Sequence, residues 1–599
     1  MTTQRRTAGP VPRIGARKPV RTRRRRLGRP ATRLRASVSG VLLLMLLISA
    51  RLVQLQGLDA TAYAAKAQEQ RSHVTVIPAS RGAIVDRNGR AFAQDVDARL
   101  IAVDPTEVTD IGGVAGGLSS RLGMDVQKVA AAIEGAPKGS RYVVIAHDVD
   151  VAVGNEISAL DLSGVVVQRE VRRDHPGGPL AAQVVGVTGS DDQGLSGVEL
   201  TMDKLLAGTA GRVEEQLDPQ GRVIPQAGTE ETPAVDGQRV RLTLDRDLQW
   251  EAQSALLAQV QATGSRGGHI VVMNPHTGEV LALASVPGFD ASKPIDPAKL
   301  HLGAVENVYE PGSVNKVITA AAALQEGVVT PNTEVTVPPV GHWPGRPTVI
   351  NDAENHGTEH LTFTGVLAQS SNIGTDEVAQ MVGMPTIYKY LDLFGLGKKP
   401  GSGLPGESAG VIPALAGLNP SSASTIPFGQ GMSVTALQVA DAYATIANGG
   451  LRVPARIIAG STDAKGIFRP AKHPAPVRVV SPQTAKTLSR MLEAVTGETG
   501  TAPEAAIPGY RIAGKTGTAQ AIGADGRYDG GYVASFVGFA PAENPKLLVE
   551  VVLDHPQGAH FGGVISAPVF KTVMSFALRE MGITPSGTKP PQWTLSLDK

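Results

Sequence analysis

Cysteine is absent from all 599 residues. That absence excludes disulfide staples, thiolate nucleophiles and cysteine-ligated metal together. It does not exclude export, because a chain this long buries enough apolar surface to fold without cross-links. Net charge is also missing: 57 Lys and Arg stand against 55 Asp and Glu, so the bulk of the chain is no nucleic-acid binder. His356-Gly357-Thr358-Glu359-His360 fails the His-Glu-x-x-His pattern of a zinc helix, since Gly357 takes the glutamate's place and Glu359 is displaced. No metal or cofactor is expected.

Long apolar runs are scarce as well, and one stands out, at residues 38–50. Thirteen basic residues, Arg5 to Arg35, crowd the sequence before it, with no acid among them. A basic flank followed by an apolar run holds its N-terminus in the cytoplasm. A span wants about 20 apolar residues. Leu52, Val53 and Leu55 extend the apolar face beyond Arg51, whose guanidinium can snorkel to the outer interface. The expected layout is a basic cytoplasmic tail over 1–35 and a single transmembrane anchor over 36–56, with everything after it outside the cytoplasm. A cleavable signal peptide is the rival reading, with Ala60-Thr61-Ala62 supplying small residues.

What the sequence does contain is an ordered trio. Ser313-Val314-Asn315-Lys316 is followed by Ser370-Ser371-Asn372 and then by Lys515-Thr516-Gly517. A lone Ser-x-x-Lys carries almost no information; the three in this order are the elements of serine acyltransferases that bind penicillin. The chemistry accounts for the spacing. Pro311-Gly312 breaks the chain before an apolar, alanine-rich run that predicts a buried helix ending near Gly327. Residues at i and i+3 share a helix face, so the Lys316 amine can reach the Ser313 hydroxyl. A serine hydroxyl is a weak nucleophile until a neighbour takes its proton. Lys316 can do so only when neutral, and burial plus a second cation, Lys515, would both lower its pKa. Residues 512–520 read as a strand lining a cleft, where a peptide could add as a further strand. Gly517 would leave room for the substrate backbone, and Thr518 N–H could join Ser313 N–H as an oxyanion hole. A phosphate-binding loop is the rival reading of Gly514-Lys515-Thr516, set aside on the expectation that the Gly-x-x-x-x-Gly-Lys-Ser/Thr spacing is absent.

With these elements the chain resembles a class B penicillin-binding protein of the FtsI type, a monofunctional peptidoglycan D,D-transpeptidase. The resemblance extends through Tyr309-Glu310-Pro311-Gly312-Ser313, Gly429-Gln430-Gly431 and Ala513 to Gln520, and into two upstream motifs. These are Arg81-Gly82-Ala83-Ile84-Val85-Asp86-Arg87-Asn88-Gly89 and Gly194-Leu195-Ser196-Gly197-Val198-Glu199. It implies Ser313 as nucleophile, Lys316 as acylation base, and Ser370 as a proton relay. It also implies Asn372 as the residue that holds the peptide and orients Lys316, with Lys515 and Thr516 gripping the donor carboxylate. Expected partners are peptidoglycan stem peptides, β-lactam antibiotics, other division proteins and a polytopic glycan polymerase of the FtsW type, docked on the anchor and around Arg81 to Asp86. The role is expected at the division septum. An elongation role, a β-lactamase, a D,D-carboxypeptidase, a penicillin sensor and an idle scaffold are the alternatives.

The expected fold is α+β: a β-lactamase-like transpeptidase domain over 236–585, preceded by an elongated α/β pedestal over 57–235 and followed by a loose tail over 586–599. Asn88-Gly89 signals a hairpin. Residues 269–273 and 280–284 flank Asn274-Pro275-His276-Thr277-Gly278 as another. Strands near 534–539 and 547–553, then a helix opened by Ala567-Pro568, close one sheet late in the chain. Residues 57–70 look helical and amphipathic. The pedestal lacks the Glu-x-x-Phe-x-x-His of a glycosyltransferase, so no second catalytic domain is expected.

Overall fold

The structure, a computed structural model, describes residues 30–58, 72–216, 224, 230–342, 348–523 and 525–598. Two compact units emerge. One comprises residues 1–76 and 212–232, the other residues 77–211 and 233–599.

In the first unit, an α-helix over Pro30–Val53 runs into a π-helical turn over Gln54–Leu58. The stretch Pro30–Gly57 is long and apolar enough to cross a membrane, and the leucines from Leu42 to Leu47 are more than half exposed, as a lipid-facing helix requires. The helix therefore begins six residues before the expected anchor start, because Arg33 and Arg35 are good helix formers. Strands Ser72–Ile77, Gly211–Gln216 and Glu230–Thr232 form a three-stranded sheet in that order. The amphipathic helix expected over 57–70 lies largely outside the described residues.

The second unit is built on two sheets. The larger runs Phe468–Pro470, Ile458–Thr462, Arg239–Leu242, Ile84–Val85, Ala91–Val103, Val143–Asp150, with Val165–Asp174 also on Ala91–Val103. It crosses residue 235, where the sequence suggested a domain change. Ile84, Phe92, Val184, Val198 and Leu206 accordingly share one hydrophobic core with Val314, Val317 and Ile318 next to the nucleophile. A separate small core, around Ile101, Val103, Leu118, Val129 and Ile157, serves the outer part of the pedestal. Hydrophobic burial thus welds the inner pedestal to the catalytic body, and only the outer lobe packs on its own.

An ion-pair cluster joins the two pedestal motifs. Arg81 Nε lies 2.6 Å from Glu199 Oε2, and Arg173 Nη2 lies 2.7 Å from Glu199 Oε1. Arg173 also pairs with Asp95 at 2.9 Å and donates to Gly82 O. Asp86 accepts from the backbone N–H groups of Asn88 and Arg90, pinning the tip of the hairpin at Gly89, whose φ is 90°. Arg81 is 6% exposed and Asp86 fully buried. Within the region expected to dock a partner, these two side chains are turned inward: Arg81 faces Glu199 and Asp203, and Asp86 faces its own hairpin and Arg90.

The second sheet positions the catalytic elements. Its strands run Val280–Val286, Gly267–Met273, Leu547–Asp554, Tyr528–Ala540, Ala513–Ile522, with antiparallel neighbours throughout. Gly267–Met273 is buried along its whole length, and helices cover both faces: Arg246–Thr263 with Ala567–Glu580, and Ala436–Ala447 opposite. Asp245 caps the first of these by accepting from Asp247 and Leu248 N–H, and Gly264, at φ 60°, ends it. The tail is not loose. Thr362 N–H donates to Leu595 O at 2.9 Å, Trp593 Nε1 donates to Arg490 O at 2.9 Å, and Leu361 bridges to Ser596. A Cβ on Gly365 would meet Leu595 O at 2.0 Å, so the glycine lets the two backbones touch.

Candidate active site

Four segments converge on Ser313. The nucleophile sits in a 3-10 turn, Gly312–Asn315, and the α-helix Lys316–Gln325 follows. The turn is held from below. Tyr443 OH donates to Val314 O at 2.8 Å, and Asn315 Nδ2 donates to Ile426 O at 2.9 Å. The Gly429-Gln430-Gly431 loop braces it from the side: Gly312 N–H donates to Gly429 O, and Gly431 N–H donates to Glu310 Oε1 at 2.7 Å. Gly429 is required there, because a Cβ would meet Gly312 O at 2.2 Å. Val314 and Asn315 are therefore structural residues inside the motif.

The two lysines are buried completely. Lys316 Nζ donates to Ser370 O and, at 3.3 Å, to Ser370 Oγ; Lys515 Nζ donates to the same Oγ at 2.7 Å. One hydroxyl is thus shared by two amines. Burial pulls Lys316 down to about 7, against the opposing pull of the Asp352 carboxylate. Burial, and then the charge on Lys316, pushes Lys515 well below its ordinary value. Two ammonium charges this close do not coexist cheaply, so the pair favours giving up a proton near neutral pH. Among the described residues the Ser313 hydroxyl takes no hydrogen-bond partner, which leaves it free to meet a substrate.

Ser370 adopts φ 63°, in the left-handed region that a non-glycine residue rarely occupies. Strain of this kind persists where surrounding structure over-determines the backbone; here Lys316 holds the Ser370 carbonyl. Ser371 then caps the helix Asn372–Val382 by accepting from Gly374 N–H.

Ala513–Ile522 is the edge strand of its sheet, so it has a free side for an added strand. Gly517 also serves the packing of the strand itself. A Cβ there would meet Ser535 Oγ at 2.2 Å, Val314 Cγ1 at 3.0 Å and Pro311 O at 3.1 Å. The glycine lets the strand close against the nucleophile's own turn. Thr516 is nearly buried and shares a 2.9 Å hydrogen bond with Thr501 Oγ1, whereas Thr518 is half-exposed and accepts from Gly562 N–H at 3.4 Å. The residues from Gly509 to Thr516 do spell Gly-x-x-x-x-Gly-Lys-Thr. Lys515 nonetheless lies inside a strand that pairs antiparallel with Tyr528–Ala540, with no helix beginning after it, so the strand–loop–helix of a phosphate-binding loop is not formed.

Among the described residues Asn372 makes no hydrogen bond to Lys316. Its Nδ2 donates to Asn351 O at 2.9 Å, and the lysine's partners are on Ser370. The residue that organises this corner is Asp352, which the motifs did not reveal. It accepts from Ser371 Oγ at 2.7 Å and from the N–H groups of Asn372 and Ile373, and it acts electrostatically on Lys316. It lies 20 residues upstream of Asn372, and no local pattern flags it. His356 Nε2 lies 3.3 Å from Asp352, while His360 pairs with Glu334 at 3.0 Å; the two histidines serve different carboxylates.

A free serine hydroxyl beside a buried, proton-poor lysine pair, along an open sheet edge, defines an active-serine acyltransferase. The comparisons name the family. The model of the penicillin binding protein transpeptidase domain matches residues 268–575, and that of the penicillin-binding protein dimerisation domain matches residues 76–242. Penicillin-binding protein PbpB of Mycolicibacterium smegmatis is 37% identical, with 96% of this chain and 96% of that protein covered. Peptidoglycan D,D-transpeptidase FtsI of Escherichia coli K12 is 34% identical over 91% of each. Among solved structures, penicillin binding protein 3 of Mycobacterium tuberculosis complexed with aztreonam gives a TM-score of 0.68 at 33% identity, with 88% of this chain and 100% of that one covered. This chain belongs to the class B penicillin-binding proteins, the serine D,D-transpeptidases of peptidoglycan.

Proposed function

We propose that this chain crosslinks peptidoglycan stem peptides at the division septum through an acyl-enzyme on Ser313. The observation that carries the mechanism is the Ser370 hydroxyl shared by Lys515 and Lys316 beside that serine. Neutral Lys316 takes the Ser313 proton as Oγ attacks the carbonyl carbon between the two terminal D-alanines. The developing oxyanion accepts from the N–H groups of Ser313 and Thr518. Collapse breaks the C–N bond, and the proton on Lys316 reaches the leaving D-alanine nitrogen through Ser370 Oγ. The acceptor amine of a neighbouring stem then attacks the ester. Its surplus proton passes by way of Lys316 to Ser313 Oγ as the C–O bond breaks, restoring the enzyme.

Lys515 and Thr518 hold the donor carboxylate; Thr516, expected in that role, is nearly buried and bonded to Thr501, and fixes the strand that carries them. The carboxylate supplies the counter-charge that favours the protonated form of Lys515. Asn372 holds the donor peptide, and Asp352 keeps its backbone in place. The names of the FtsI and PbpB relatives support the activity and the septal role. The basic flank supports a cytoplasmic N-terminus ahead of a single span, with an FtsW-type polymerase beside the span. The test is direct. Full-length protein given donor and acceptor stem peptides forms crosslinked dimer and releases one D-alanine per bond, while Ser313→Ala forms none. D-Alanine release without dimer would assign a carboxypeptidase instead.

A further inference from the structure

Away from Ser313, a cavity of about 340 Å³ opens where the inner pedestal meets the large sheet. Its apolar wall is made by Met202, Leu205, Val240 and Ile458. Its polar wall carries Arg456, Arg469, Lys472 and His473, and no acidic residue is among its lining. The volume falls in the range of small-molecule sites, which combine an apolar body with a few placed polar groups.

The basic side chains are unevenly satisfied. Arg456 reaches Glu279 at 3.2 Å and Arg469 reaches Asp463 at 3.5 Å, both outside the lining. Lys472 has no ion pair among the described residues. Two nitrogens, Arg456 Nε and His473 Nε2, are enclosed without a hydrogen-bond partner. His473 Nδ1 is committed to Pro474 O at 3.0 Å. Enclosed, unpaired nitrogens are costly unless something accepts from them. The Arg456 backbone is fixed through Gly278 O and Val280 N–H, so its side chain starts from a set position. The opposite wall cannot serve as acceptor: Glu407 lies behind it, engaged by Gly401 N–H, Ser402 N–H and Ser402 Oγ.

We propose that this cavity binds a small amphipathic anion, a carboxylate or phosphate carried on a short apolar body. The apolar body packs on Met202, Leu205 and Ile458, and the oxyanion accepts from Arg456 and Lys472; His473, whose Nδ1–H is given to Pro474 O, donates from Nε2 to the anion only in its doubly protonated form. Charge-assisted contacts of this kind are stronger than neutral ones.

The test uses the full chain in lipid nanodiscs, with Ser313 acylated by penicillin so that the catalytic cleft is blocked. Methionine methyl groups are isotope-labelled, and the Met202 signal is assigned by Met202→Leu. Hexanoate, hexyl phosphate and neutral hexanol are titrated in turn. Saturable movement of the Met202 signal by either anion, with none by hexanol, supports the site; which anion acts tells carboxylate from phosphate. Lys472→Glu combined with His473→Asn should weaken that binding about tenfold, while penicillin acylation, unchanged, shows that the variant is folded. The proposal is overturned if neither anion moves Met202, if hexanol moves it equally, or if the double variant binds as tightly as the parent.

Discussion

The acylation rate should follow the protonation of Lys316. With that amine drawn down to about 7, about one-tenth is neutral at pH 6, about half at pH 7 and about nine-tenths at pH 8. If neutral Lys316 takes the Ser313 proton, acylation rises about tenfold between pH 6 and pH 8 and then levels. An unperturbed lysine near 10.5 would instead give about a hundredfold climb over the same interval with no plateau. The assay is the second-order rate of labelling by a fluorescent penicillin, whose own carboxylate stays ionised throughout. Asp352→Asn sharpens it: the carboxylate favours the charged amine, so its neutralisation should move the midpoint to lower pH. The same depression bears on stability. A lysine whose folded pKa lies below its unfolded one destabilises the fold fully below about pH 7, and the cost lifts as pH climbs toward 10.5. A flat profile would refute Lys316 as the base, and a steady hundredfold rise would refute its lowered pKa.

Three further outcomes follow from the geometry. Gly517→Ala places a methyl 3.0 Å from Val314 and 3.1 Å from Pro311 O; overpacking should cost about 1–3 kcal/mol and slow acylation, both measurable by thermal melting and labelling rate. Ser370→Gly should be more stable than Ser370→Ala by about 1 kcal/mol, because glycine relieves the φ of 63°, while both variants lose the shared hydroxyl and acylate about a hundredfold more slowly; equal stability of the two would show the backbone there to be unstrained. Arg81→Ala leaves the fully buried Glu199 with Arg173 as its remaining cation and should destabilise by about 1.5–3 kcal/mol in chemical denaturation, yet leave the labelling rate of the folded fraction unchanged, since the cluster supports the pedestal and not the cleft.

The parts of this molecule legible from sequence are those whose cause is local. The hairpin at Asn88-Gly89 is a turn preference, and the start of the Ala567–Glu580 helix follows from its early proline. The catalytic trio was legible because its chemistry needs fixed residue types at i and i+3 and in two later walls. What failed to show is non-local. Asp352 has no spacing that ties it to Ser371, and the role of Gly517 depends on Val314 and Ser535 arriving from elsewhere in the chain. The resemblance placed a docking surface around Arg81 to Asp86, and nothing local in the sequence marked these two charged side chains as buried. Only the fold brings Glu199 and Arg173 to the first and closes the Gly89 hairpin over the second. The tail at 593–596 carries no strong periodicity, and its binding groove is formed by Leu361, Gly365 and Arg490.

The central claim is that Ser313 is the nucleophile, and peptide mapping of the penicillin adduct tests it most directly. Full-length protein, labelled and digested, should carry the penicilloyl group on the peptide containing Ser313, and Ser313→Ala, folded to the same melting temperature, should carry none. An adduct on Ser370, Ser371 or any other residue of the parent protein, or undiminished labelling of Ser313→Ala, would contradict the account.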